Sequence, residues 1–149
     1  MYDDIQMEII NDVDRIEHLL QVYDHSFPRS LSERVGSLRE YAQKMAENAI
    51  VVTCSHENKI IGYAAFYCND MESKQAYVTA IVIDETYKGK GVAITLGNFC
   101  LDYMKQMGIE TIVGEVDRTN TASLKLCKRF GFEVTGEASD CSIFLTKYL

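Results

Sequence analysis

The sequence predicts an α/β fold, a mixed and mostly antiparallel sheet with helices on both faces. Three observations point there. Short β-rich stretches take turns with stretches whose apolar residues recur at helical spacing. Two pairs of β-rich stretches are separated by little more than a turn, as in hairpins. One stretch, "KQAYVTAIVID" (74–84), is long and apolar towards its end, as a central strand is. The predicted element order is βααβββαβαββ.

The elements follow in order. "IQMEII" (5–10) alternates and reads as a strand. Over 11–27, Val13, Ile16, Leu19, Leu20 and Tyr23 share a helical face, with Asn11 and Asp14 as the start signal and Pro28 as the stop. Ser30 and Glu33 have capping-box spacing and open a second helix over about 31–48. "AIVVTCSH" (49–56) and "KIIGYAAFYC" (59–68) form a hairpin around "EN", and 74–84 is the next strand.

After the turn "YKGKGVA" (87–93), Val92, Leu96, Phe99, Cys100, Tyr103 and Met107 mark an amphipathic helix that Gly108 stops. "ETIVGEVD" (110–117) is a strand. "NTASLKLCKRF" (120–130) is a short helix from an Asn/Thr cap to Gly131, and taken alone its plainest reading puts Leu124, Leu126 and Phe130 in the core. "FEVTGE" and "CSIFLTKY" close the chain as a hairpin.

The chain has 149 residues, the size of one domain, and residues 1–149 read as a single domain without repeat or linker. Hydrophobic residues make up 47% and charged residues 25%, as in ordinary soluble proteins. The acidic N-terminus lacks a signal-peptide core, and no stretch is apolar enough to span a membrane. Five cysteines (54, 68, 100, 127, 141) without CxxC or zinc-type spacing read as thiols of a reducing cytoplasm. The isolated histidines 18, 25 and 56 suggest no metal site. A net charge of −7 argues against nucleic-acid binding and favours a cationic or neutral substrate. Two basic clusters stand out against it: Lys88 with Lys90, and Lys125 with Lys128 and Arg129.

A strand, a Gly/Lys turn and a helix start make an anion site. Helix-start amides and dipole favour negative charge, and Gly89 and Gly91 let a ligand approach the backbone. A plain surface turn fits these residues equally well. The pattern is neither of the two common nucleotide-binding glycine motifs.

Two stretches together decide more. "AYVTAIVIDETYKGKGVAITL" followed by "GEVDRTNTASLKLCKRFGFEV" resembles the GCN5-related N-acetyltransferase (GNAT) family. Lys88, Gly91 and Ala93 occupy the family's [QR]-x-x-G-x-[GA] motif. Asn120, Ser123, Gly131 and Phe132 match its N-x-x-[AS]…GF motif. The resemblance covers nearly the whole chain and implies the GNAT fold. It also implies an acetyl-CoA cosubstrate, no metal, and transfer of acetyl to a primary amine of a small molecule such as an amino sugar or amino acid.

By that resemblance, Lys88, Gly89, Lys90, Gly91, Val92 and Ala93 hold the pyrophosphate. Backbone groups of Ile81, Val82 and Ile83 pair with the pantetheine arm between two splayed strands, and Asn120 and Ser123 contact the cofactor or order their helix. The slot usually held by a Tyr acid is Cys127. A thiol is a competent acid by pKa but a weaker donor. Direct proton donation, donation through water and simple packing remain open for it, as does an acyl-accepting thiolate lowered by Lys128 and Arg129.

Glu115 is the candidate base, with Asp117 in reserve on the same side of the strand. Candidate acceptor contacts are His25, Ser26, Phe27, Tyr41, Tyr67 and Tyr77. The rival readings are a protein N-terminal acetyltransferase and a non-catalytic acyl-CoA-binding module. Relatives are often homodimers.

Overall fold

The computed structural model describes residues 4–149, so the first three residues of the acidic N-terminal stretch lie outside the described residues. Among the described residues, seven strands form one sheet in the order β1-β2-β3-β4-β5-β7-β6. They are β1 (Gln6–Ile10), β2 (Ile50–His56), β3 (Lys59–Asp70), β4 (Gln75–Ile83), β5 (Thr111–Asp117), β6 (Glu133–Glu137) and β7 (Ser142–Tyr148). Every pairing is antiparallel except that of β4 with β5. The apolar stretch 74–84 is indeed the central strand.

Five helices cover the sheet: α1 (Val13–Val22), α2 (Leu31–Val35), α3 (Leu38–Asn48), α4 (Val92–Gln106) and α5 (Thr121–Arg129). Side chains alternate across a strand, so neighbouring residues enter different cores. On one face Val51, Tyr63, Ala65 and Val82 meet α1, α2 and α3 through Ile16, Leu20, Leu31 and Met45. On the other, Val52, Ala64, Phe66 and Ile83 meet α4 through Val92, Leu96, Cys100 and Met104.

The helical boundaries differ from the predicted ones in four places. Asp12, rather than Asn11, caps α1 by accepting from the Arg15 amide at 3.0 Å. The helix ends at Val22, and Asp24–Ser26 forms a separate 3-10 turn before Pro28. The predicted second helix is two helices, because Gly36 at φ 78° ends α2 and Ser37 starts α3 by accepting from the Glu40 amide. The Ser30/Glu33 capping box does not form, since Ser30 makes no side-chain cap bond. Asp24 instead accepts from the Ser32 amide and hydroxyl, both at 2.7 Å, and ties the 3-10 turn to α2.

The β4–β5 pairing positions the site. It runs from Gln75↔Thr111 to Val78↔Gly114 and stops. At that point β4 carries a bulge against β3, between Val78 and Ala80, with the Thr79 hydroxyl donating to the Ala65 carbonyl at 3.2 Å. A bulge bends its strand and increases the local twist. Beyond it, β4 stays paired with β3 through Ile83 while β5 runs on with β7, so the sheet opens into a V.

Candidate active site

Two cavities meet in this V. One of about 400 Å³ lies between the 87–94 turn and α5. Ile81, Val82 and Ile83 form its strand side, Lys88, Gly89, Gly91, Val92 and Ala93 its turn, and Asn120, Ser123, Lys125 and Arg129 its far wall. The other, of about 370 Å³, lies between the open ends of β4 and β5 and the segment 27–34. Phe27, Ile81, Asn120, Ser123 and Leu126 line both.

The first cavity combines backbone and charges that suit an anion. Gly89 and Gly91 both adopt left-handed φ, 75° and 83°, which only glycine reaches without strain. Gly91 is the N-cap of α4 and no side chain caps it, so the first amides of the helix have no side-chain acceptor. Lys125 and Arg129 supply positive charge across the groove. Lys88 lies on the wall and also pairs with Glu85 at 2.8 Å. Lys90 is exposed and off the cavity wall, because the turn directs it to solvent. The turn is anchored from behind: Tyr87 meets His56 Nδ1 through its hydroxyl at 3.0 Å, and Asp4 meets His56 Nε2 at 3.0 Å.

The second cavity holds the titratable groups. Glu115 accepts from the Ser142 hydroxyl at 2.6 Å and from the Tyr77 hydroxyl at 3.4 Å. Burial first, and then the Glu115 charge, push the Tyr77 hydroxyl up to about 12, which keeps it a donor. Asp117 is on the same wall, but its Oδ1 accepts from the Thr119 amide and hydroxyl at 2.9 and 2.6 Å. Those bonds hold its carboxyl below the usual carboxylate range, a poorer base than its position suggests. Asn120 uses its side-chain oxygen to accept from the Ser123 amide at 3.2 Å, so it orders α5 while lining both cavities.

Cys127 lines the second cavity half-buried. Burial pushes its thiol up, and neither Lys128 nor Arg129 lowers it. A thiol held protonated suits proton donation better than acyl acceptance.

Among the candidate acceptor contacts, Phe27, Tyr41 and Tyr77 line this cavity and Ser26 lines the other. His25 and Tyr67 line neither. His25 is exposed on the 3-10 turn, and Tyr67 stands opposite Tyr77 on β3, one strand further from the cleft. Leu124, Leu126 and Phe130 are not in the core, because α5 buries no residue. Its apolar stripe, through Leu126 and Phe130, lines the cleft instead.

The sequence reading missed Arg29, Arg34, Ser139, Cys141 and Ser142 on the second cavity. Only the register of β7 on β5, Asp117↔Ser142, brings the last of these to Glu115. Among the described residues, no helix is long and apolar enough to cross a membrane.

Residues 13–132 match the model of the acetyltransferase (GNAT) family. The chain belongs to that family. Over 98 residues it is 28% identical to an uncharacterized N-acetyltransferase of Methanocaldococcus jannaschii, covering 63% of this chain and 43% of that protein. Over 58 residues it is 34% identical to N-alpha-acetyltransferase 30 of Schizosaccharomyces pombe, covering 39% of each. The chain thus spans less than half the length of either curated relative.

The fold matches the PaiA N-acetyltransferase of Thermoplasma acidophilum in complex with coenzyme A, with a TM-score of 0.79 at 15% identity over 98% of this chain and 99% of that one. It also matches the ribosomal-protein-S18-alanine N-acetyltransferase of Escherichia coli, with a TM-score of 0.74 at 19% identity over 97% and 93%.

Proposed function

We propose that the chain transfers an acetyl group from acetyl-CoA to a primary amine of a small molecule. The observation that carries this is the end of β4–β5 pairing at Val78 and Gly114, where the anion groove and the Glu115 cavity join. An extended thioester arm can replace the missing strand beside β4, with its phosphates at the uncapped start of α4. The donor set fits that group: backbone of Ile81–Ile83, amides of the 89–93 turn, and the cations Lys88, Lys125 and Arg129.

Bound acetyl-CoA supplies an acyl group already activated as a thioester. The chain's residues have three tasks left. Glu115, held in place by Ser142 and Tyr77, accepts the proton of the incoming ammonium, directly or through water. The walls of the V hold amine and thioester together, which lowers the entropic part of the barrier. Cys127, kept protonated by burial, donates to the departing thiolate. A peptide amine is the second reading, favoured by the stretch shared with the yeast N-alpha-acetyltransferase.

The test is free-thiol release from acetyl-CoA with a panel of amines. Glu115→Gln is expected to lower kcat/KM by about 10²-fold near neutral pH with acetyl-CoA affinity unchanged. A full rate in that variant would remove Glu115 from the mechanism. Cys127→Ala is expected to lower kcat, and an unchanged maximal rate across alkaline pH would assign the proton to water. Failure of every amine to release thiol, while acetyl-CoA still binds, would leave only a binding module.

A further inference from the structure

The chain has six arginines, and they fall into two groups. Arg15, Arg39 and Arg118 pair with carboxylates on the outer surface. Arg29, Arg34 and Arg129 make no ion pair among the described residues, and all three line the cleft. With 22 acidic residues against 15 basic ones, carboxylates are not scarce. Arg129 faces the anion groove. Arg29 and Arg34 face the acceptor cavity, where the acetyl-CoA reading requires no anion.

We propose that Arg29 and Arg34 form a carboxylate-binding subsite, and that the acceptor is a free amino acid with an apolar side chain, its amine directed to Glu115. This deepens the acetyl-transfer reading and rests on it for the chemistry, though not for the binding.

Three features place the subsite. The Arg34 guanidinium carbon lies 5.2 Å from the centroid of the Phe27 ring, a cation–π contact that uses none of its N–H donors. Arg29 Nη2 lies 4.0 Å from Cys141 Sγ, at the β6–β7 turn. From there a chain of contacts leads to Glu115: Cys141 Sγ to Ser139 Oγ at 3.4 Å, Ser139 to Ser142 at 2.9 Å, and Ser142 to Glu115 at 2.6 Å. The guanidinium therefore shares a wall with Glu115 without touching it. The positive charges of Arg29 and Arg34 also help hold the Asp117 carboxyl low, after the Thr119 bonds, so both arginines face that side of the cavity.

Arginines on one side and Glu115 with Asp117 on the other match a carboxylate and an ammonium on one small molecule. The remaining wall on that face of the sheet is apolar, with Leu20, Leu31 and Met45. A phosphorylated amine would satisfy the arginines too, but its extra charge would face two carboxylates and an apolar wall. A peptide N-terminus offers no free carboxylate next to its amine.

The experiment uses the full chain loaded with coenzyme A and measures calorimetric binding of leucine, leucinamide, 3-methylbutylamine and glucosamine 6-phosphate. Thiol release from acetyl-CoA is measured with the same four. Leucine is expected to bind at least about tenfold more tightly than its amide or amine, the cost of an unmade charge-assisted bond. Arg29→Gln and Arg34→Gln are each expected to erase that preference without changing acetyl-CoA affinity.

Equal binding of leucine and leucinamide, tighter binding of the phosphorylated amine, no leucine binding, or variants that keep the preference would each overturn the subsite. The two readings separate cleanly. Carboxylate-dependent binding with no thiol release from any amine sinks acetyl transfer and keeps the subsite. Turnover indifferent to the carboxylate does the reverse.

Discussion

Helices α4 and α5 both start beside the cleft and both carry an apolar stripe. α4 buries Val92, Leu96, Gly97, Cys100 and Met104, whereas α5 buries nothing. The stripe of α4 faces β3 and β4 and completes a core. The stripe of α5 faces the gap where β4 and β5 have parted, so Leu126, Cys127 and Phe130 line a cavity. The same helical periodicity therefore completes a core in one helix and lines a cavity in the other. What separates them is the sheet beneath.

The largest expected effect is on the α4 side. Leu96 is fully buried, and Leu96→Ala should cost about 2–5 kcal/mol of unfolding free energy in a denaturant titration. Leu126→Ala on α5 should cost under about 1 kcal/mol there. It should instead weaken acetyl-CoA binding about tenfold, since a half-buried leucine would be covered only by ligand. Equal destabilisation by the two variants would mean that Leu126 packs as tightly as Leu96.

A smaller effect is expected where the helices touch. A Cβ at Gly97 would stand 2.3 Å from Phe130 Cζ, so Gly97→Ala forces that ring to swing. The better helix propensity of alanine, about 1 kcal/mol, offsets part of the clash. Melting should change little while the KM for the acceptor amine rises, because Gly97 and Phe130 line the acceptor cavity but not the anion groove. A raised KM for acetyl-CoA alone would place Phe130 elsewhere.

Much of this was legible in the sequence. Strand order could not be read, but the strands, the central position of 74–84 and the Gly/Lys turn all could, because each rests on local periodicity or backbone chemistry. The split at Gly36 was missed because a single glycine inside an apolar pattern is compatible with a continuous helix. Periodicity alone did not give the fate of Leu126 and Phe130, since it shows that a stripe is covered and not by what. Arg29, Arg34 and Ser142 were invisible as site residues. They reach the cleft only through the packing of the 27–34 segment and the register of β7 on β5.

The last effect is absent at neutral pH and appears only in alkali. Burial pushes Cys54 and Cys100 up to about 12 from 9.0, and Tyr23 and Tyr77 up to about 12 from 10.0. The folded chain thus keeps protons that the unfolded chain releases. Their contribution is complete below pH 9 and is lost as pH rises from 9 towards 12, so Tm should hold flat and then fall across that window. Cys127, also raised by burial but lining the cleft, should add to this fall. A Tm that climbed between pH 9 and pH 12 would contradict the sign.

The central claim is that the open edge of β4 and the uncapped start of α4 together form the acetyl-CoA site. Amide hydrogen exchange with and without saturating acetyl-CoA tests it most directly. The account predicts slowed exchange in two separate segments, residues 79–83 and 89–94, with the buried strands β2 and β3 unchanged. Exchange unaffected in both segments at saturating acetyl-CoA would contradict it.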